Sequence, residues 1–401
     1  MTENQRPYQY MYSKTHNRPL SLAVGLSAKL VGIGCCALLS AFGGEYVGCE
    51  CVDTVRSEIE KIYPKPAFVR CDYVLKPTDE SVDVSVIVPA YNAERFICGC
   101  VDSILEQRTN YSVQVIVVND NSSDGTLSRL EKYRGCGNVK IINLRNGGSA
   151  ASARNEGLKH ASGKYVMFAD SDDMLLPNAV ETLLREAFET DADIVQGGWQ
   201  YMTADGAHGD RVHYARMIYS GKNASGRFEL PGMPWGKIYK RELFEKICFP
   251  QNYTCFEDAV IHFLIFRKAD KVAAVMENIY LWRKNPAGIT FTSQSTAKAL
   301  QSYWIVEDML ETDAILDLPH DDIFAQCMIG QLSNFCYANV AGMEKTIQKN
   351  VFAMCCVLYE KYLHGFDCGA TPYALRLGAK ALRDKRFDLW ATQGKCYQLI
   401  R

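Results

Sequence analysis

From Val82 onward, apolar runs rich in Val and Ile alternate with helical stretches. The runs are "VDVSVIVPAY", "VQVIVVND", "VKIINL" and "KYVMFAD", and the intervening segments read as helices over about Ala93–Gln107, Asp124–Tyr133 and Ala150–Ala161. Near-continuous β-branched strands of this length are buried on both faces, which is the habit of parallel sheets. A β-α-β rhythm of about 30 residues then requires right-handed crossovers, so this stretch is a doubly wound α/β domain. At 401 residues the chain has length for more than one structural unit. We divide it into an N-terminal extension over 1–80, the α/β domain over 81–295 and a helical region over 296–401.

Composition excludes several classes. Hydrophobic residues make up 48% and charged residues 22%, which fits neither a disordered chain nor a polytopic membrane protein. A net charge of -2 gives no electrostatic reason for nucleic-acid binding. The 16 cysteines lack paired C-x-x-C spacing, and we read them as reduced thiols of a cytoplasmic protein. The apolar segment Leu20–Gly44 is interrupted by Lys29, and its longest clean part is shorter than the roughly 18–20 residues that a membrane span needs. We read it as a docked amphipathic or buried helix, with peripheral contact at the inner face of the plasma membrane or a signal peptide as the alternatives. The basic spacing of Arg376, Lys380 and Arg383 suits an anionic leaflet, but a solvated helix face explains it better.

In an open parallel sheet, ligands bind beyond the carboxyl ends of the strands, and the polar residues of this domain collect there. The first run ends in Pro89-Ala-Tyr91-Asn92, the second in Asn119-Asp120-Asn121, the third leads into "NGGSAASARNEG", and the fourth ends in Asp170-Ser-Asp172-Asp173. Ser122, Ser123, Asp124 and Gly125 are sufficient as a helix cap and turn. Asp120 is left over, and a carboxylate at that point can accept from a base or a ribose hydroxyl. The small residues of "NGGSAASARNEG" allow either close backbone approach to a ligand or tight helix packing, while Arg154 and Asn155 could reach a phosphate or base. Neither a dinucleotide fingerprint nor a P-loop is present. Asp170, Asp172 and Asp173 repel one another unless a positive charge sits among them, which suggests a hard divalent cation such as Mg2+ or Mn2+. Acidic first-turn residues of a helix are the plainer reading of any one of them. Downstream, Glu257 and Asp258 open an apolar helix through Ile261, Leu264 and Ile265, and Trp235 and Lys237 either wall a pocket or simply pack.

With these residues assembled, the stretch from about Val84 to Thr290 resembles the family 2 glycosyltransferases, inverting nucleotide-sugar-dependent enzymes of the GT-A fold. The segments "VSVIVPAYNAERFICGCVDSIL", "VIVVNDNSSDGT", "NGGSAASARNEGLKHASGKYVMFADSDD", "PWGKIYKRELFEK" and "FEDAVI" carry the resemblance in order. It implies a GT-A sheet, doubly wound and mostly parallel, followed by a helical appendage. It implies Pro89 and Tyr91 beside the nucleotide base, Asp120 on base or ribose, Arg154 near the nucleotide and Asp170 on ribose. Asp172 and Asp173 would ligate the cation, and Asp258, next to Glu257, would be the general base. One departure concerns the residue before Asp120, usually acidic and here Asn119. The implied donor is a nucleotide sugar, a UDP-sugar first, and the acceptor a glycan or lipid-linked glycan in cell-surface polysaccharide or glycolipid synthesis. A sugar-nucleotide pyrophosphorylase would need a Gly-rich basic loop where "PAYNAERF" stands. A hydrolase would need a water activator beside the aspartates, and a non-catalytic nucleotide-sugar binder would lack the base.

Overall fold

The computed structural model describes residues 45–48, 52–71, 73–145, 148–203, 206, 208–285, 296–366 and 373–400. The Leu20–Gly44 segment lies outside the described residues. The chain divides into two compact units: Ala67–Pro286 with Met309–Leu318, and Met1–Pro66 with Ala287–Asp308 and Pro319–Arg401. This grouping cuts across the 1–80, 81–295 and 296–401 segmentation, because the helix Val52–Ile62 belongs with the C-terminal helices and the linker after Pro66 with the sheet.

The first unit is built on a sheet of ten strands. They are β1 (Val84–Ala90), β2 (Val113–Asn119), β3 (Val139–Asn143), β4 (Tyr165–Phe168), β5 (Met174–Leu175), β6 (Ile194–Met202), β7 (His208–Val212), β8 (Met217–Tyr219), β9 (Lys237–Lys240) and β10 (Val272–Arg283). The order is β3-β2-β1-β4-β9-β6-β10-β5, with β7 on β6 and β8 on β10. The four strands predicted from the Val/Ile runs form the parallel half, β3-β2-β1-β4. The other half is mixed: β9 lies antiparallel between β4 and β6, β10 is parallel to β6, and β5 is antiparallel to β10. The reversal begins at Gly236, whose φ of 74° is open to glycine and strained for other residues.

Helices α1 (Ile97–Leu105), α2 (Thr126–Leu130), α3 (Ala150–His160) and α4 (Ala179–Thr190) fall within the stretches that periodicity marked or continue the β-α rhythm. The first begins four residues later than predicted from Ala93, after a turn in which the Phe96 and Ile97 amides both donate to Ala93 O, and Asn92 before that turn is left-handed at φ 47°. Asn92 instead ties the β1 and β2 loops together: its amide donates to Ser122 Oγ at 2.9 Å, and its Oδ1 accepts from Ser123 N at 2.9 Å.

Register explains why the polar residues share one edge. Ala90 pairs with Asn119 and Asn119 with Asn143, so Tyr91, Asp120 and the loop before α3 leave the sheet together. β4 ends at Phe168 opposite Ile87, and Asp170 follows at the same edge. Helix α3 packs close enough to β1 that a Cβ on Gly157 would stand 2.3 Å from Ile87 Cγ2. Gly157→Ala should therefore destabilise the protein by about 1–3 kcal/mol through overpacking, read as a lower urea midpoint with an unchanged m-value.

The second unit is helical in its described residues, with Ala297–Leu300 and Gln301 onward, Asp322–Val340, Lys345–Leu363, Tyr373–Arg383 and Phe387–Ile400. Its core is aromatic: Trp390 meets Tyr337 edge-on at 5.0 Å and Phe352 at 5.2 Å. Each buried indole N–H finds an acceptor, Trp304 on Tyr63 O and Trp390 on Leu332 O, as burial of a donor requires. Lys380 and Arg383 both turn to Asp384, which answers part of their basic spacing with an acidic partner. Among the described residues no helix is long and apolar enough to cross a membrane.

Candidate functional site

Arg154 lies at the centre of the polar edge. Ser149 caps α3, its side chain accepting from Ser152 N, and this starts the helix so that Arg154 falls one turn in, 5% exposed. One guanidinium nitrogen donates to Asp170 Oδ1 at 2.9 Å and another to Glu257 Oε1 at 2.9 Å. The guanidinium lies 5.4 Å above the Phe249 ring. A residue expected near the nucleotide thus bridges the carboxylates that end β4 and precede Ile261. Its neighbour Asn155 is not available to a ligand: it exchanges two 2.8 Å hydrogen bonds with the Phe249 backbone and holds the loop that leads to Glu257.

The three aspartates do not gather on one point. Asp170 turns to Arg154, Asp172 Oδ2 accepts from Asn285 Nδ2 at 3.2 Å, and buried Asp173 accepts the Arg283 amide at 2.7 Å. Asp173 N donates to Asp170 O at 3.0 Å, closing a tight turn. Burial pushes the Asp173 carboxyl well up, and the charges of Asp170 and Asp172 push it further, against the Arg283 amide and the Tyr280 hydroxyl. Burial and Asp170 also raise Asp172. Asp173 Oδ2 is buried with no hydrogen-bond partner. Hard carboxylate oxygens that resist ionisation, one of them unsatisfied, fit a divalent cation. Among the described residues no three His, Cys, Asp or Glu side chains converge to hold a metal unaided. Asp172 and Asp173 would therefore hold the ion together with water and substrate oxygens.

Asp120 sits at the end of β2, buried, and both its oxygens face the Gly148 amide at 3.1 and 3.3 Å. Burial raises its pKa, and the backbone amides of Gly148 and Ser149 oppose that. Pro89 is buried within β1, and Tyr91, just beyond it, is 64% exposed. Asn119 is occupied inside the sheet, donating to Asn143 Oδ1 at 2.5 Å from the paired position on β3. The departure from an acidic residue thus sits at a paired position within the sheet.

Phe256, left-handed at φ 69°, delivers Glu257 and Asp258 to the site. The helix expected after them is wound more widely than α at its start: Ile261–Ile265 is a π-helical turn, followed by a short α-helical piece at Phe266–Lys268. Such turns are frequent at functional sites. Burial and then the Glu257 charge push Asp258 up to about 7, and Arg154 resists this. Lys237, fully buried, donates to Met233 O and Trp235 O, and burial drives its pKa well down against the pull of Asp258.

Several residues of the site escaped the sequence reading. Tyr280, Arg283 and Asn285 all reach the aspartate turn from the end of β10. The run "YLWRKN" reads only as a strand end, and nothing local shows that β10 crosses to β6 and returns beside Asp173.

A sequence model of Glycosyl transferase family 2 matches residues 85–248. The glycosyltransferase GlyG of Streptococcus pneumoniae is 30% identical over 227 residues, covering 52% of this chain and 73% of GlyG. The chain belongs to glycosyl transferase family 2. The uncharacterized glycosyltransferase EpsJ of Bacillus subtilis is 32% identical over 217 residues, 52% of this chain, which spans only 62% of EpsJ. The crystal structure of Staphylococcus aureus TarS 1–349 in complex with UDP-GlcNAc superposes with a TM-score of 0.62 at 21% identity, over 79% of this chain and 92% of TarS 1–349. That likeness establishes the GT-A fold for this family 2 chain. TarS itself is a poly(ribitol-phosphate) beta-N-acetylglucosaminyltransferase.

Proposed function

We propose that this chain is a metal-dependent inverting glycosyltransferase that moves a sugar from a nucleoside-diphosphate sugar, a UDP-sugar first, to an acceptor hydroxyl. The setting is cell-surface polysaccharide or glycolipid synthesis, at the cytoplasmic side of the membrane, with a glycan or lipid-linked acceptor. The observation that carries the reading is the ionic bridge Asp170–Arg154–Glu257, which ties the aspartate turn to the segment bearing Asp258. A general base is thereby fixed relative to a cation-binding turn without touching it.

The roles follow from the surroundings. Pro89 and exposed Tyr91 border the nucleotide base, Asp120 accepts from base or ribose, and Asp170 takes a ribose hydroxyl while Arg154 holds its other oxygen. Asp172 and Asp173 would hold Mg2+ or Mn2+, which supplies Lewis-acid neutralisation of the departing diphosphate. Asp258, raised to about 7, is matched to accept the acceptor's proton near neutral pH as its oxygen attacks the anomeric carbon from the opposite face. Glu257 supports it by raising its basicity and anchoring the loop to Arg154.

Thermal denaturation with a panel of nucleoside diphosphates, each with and without Mn2+, tests this. One diphosphate should raise the melting temperature more with Mn2+ than without it, as ligand binding to the native state requires. Asp172→Asn should lose most of that metal-dependent increment, and a panel with no metal-dependent member would contradict the reading.

A further inference from the structure

We propose that Tyr280, braced by Trp235, is a positioning residue for the aspartate turn: its hydroxyl fixes the backbone from which Asp170, Asp172 and Asp173 meet donor and cation. The inference rests on the donor and cation reading above and deepens it.

The need arises where β4 leaves the sheet. Ala169 N still donates to Ile87 O at 3.0 Å, but the next amide, that of Asp170, has no strand partner. It donates instead to the Tyr280 hydroxyl oxygen at 3.0 Å. The bond from Asp173 N to Asp170 O then closes the turn on this anchored residue. Three residues further along β10, Arg283 takes the far side, its amide on Asp173 Oδ1 and its Nε on Asp172 O, both at 2.7 Å. The turn is thus held at both ends from a single strand.

A tyrosine used this way must not slide, and its ring is fixed. Tyr280 is fully buried and stacks on the Trp235 indole at 4.6 Å and 10° between planes. Trp235 bridges Phe168, the last residue of β4, and is met edge-on by Trp199 at 5.4 Å. Lys237 clamps the carbonyls of Met233 and Trp235 from the other side of the Gly236 turn. Any core tyrosine needs a partner for its buried hydroxyl. What marks a role in the site is that the partner here is Asp170 N, the first amide of the aspartate turn.

Tyr280→Phe separates the two, since it keeps ring and stack and removes one oxygen. Isothermal titration with UDP, in Mn2+ and in EDTA, is the measurement, with ligand-free melting as a control. Metal-dependent UDP affinity should fall roughly 10- to 100-fold, the usual cost of losing a group that orients a metal ligand. UDP affinity in EDTA should fall by less than the affinity in Mn2+, because only Asp170 of the turn meets the ribose directly, and the ligand-free melting temperature should stay within about 4 °C. Trp235→Phe should preserve metal-dependent affinity and Trp235→Leu should lose it. Wild-type Mn2+-dependent affinity in Tyr280→Phe overturns the positioning role. Absence of any Mn2+-dependent affinity in the unsubstituted protein overturns the parent reading as well, and is told apart because it precedes any substitution.

Discussion

Asp258→Asn is expected to lower kcat by about 10²- to 10⁴-fold, the usual contribution of a positioned general base, while donor affinity is retained. The asparagine keeps the shape of the side chain but cannot take a proton. The unsubstituted protein should show a pH profile of matching form. With the Asp258 carboxyl pushed up to about 7 by burial and the Glu257 charge, the ionised base is lost as pH falls below that value. The rate should then drop about tenfold per pH unit on the acid side and level off above it. Asp258→Asn should abolish that limb. The same elevation affects stability with the opposite sense. A native carboxyl that binds its proton more tightly than the unfolded chain contributes stability that is full below the ordinary value of 3.8 and is lost as pH rises from there through about 7. Melting of Asp258→Asn should therefore lack this decline between about pH 4 and 7. Near-normal turnover in the variant would remove Asp258 from the role of base.

Arg154→Ala is expected to cause the largest loss of stability of any single change in the site, about 3–5 kcal/mol, because it strands two carboxylates around a buried charge position. Asp170 and Glu257 are mostly shielded, with side chains 29% and 18% exposed, so water replaces the lost guanidinium poorly. Arg154→Lys keeps a charge but not the fork that reaches two partners at once, and should recover only part of the loss. Urea denaturation followed by far-UV circular dichroism measures it. A midpoint change in Arg154→Ala equivalent to less than about 1 kcal/mol would place the bridge among ordinary surface ion pairs.

Much of this site was legible in the chain because parallel strands write their ends plainly. The Val/Ile runs located β1 to β4, and Tyr91, Asp120 and the aspartates were read at the correct edge. The puzzle of three close carboxylates was answered only in part. A cation was expected as the offsetting charge, whereas the chain already supplies one in Arg154 and disperses the other two aspartates onto Asn285 and the Arg283 amide. The contacts of Asp172 and Asp173 with Asn285 and Arg283 reach across more than a hundred residues, which no local pattern records. The mixed half of the sheet was hidden for the same reason. "KIYK" has the composition of a strand, but its direction follows from the turn at Gly236 and from the partners it meets on β4 and β6. Asn155 shows the limit of residue type as a guide: a polar side chain beside Arg154 suggests a ligand contact, and its amide is spent entirely on the Phe249 backbone.

Inverting transfer at this site is read from the configuration of the sugar released when water is the only acceptor. The protein is incubated with Mn2+ and α-configured UDP-sugars, and the anomeric proton of the first free sugar is followed by NMR before mutarotation. Slow, metal-dependent hydrolysis of at least one donor to the β-anomer is expected, lost in Asp258→Asn. Initial release of the α-anomer would contradict it.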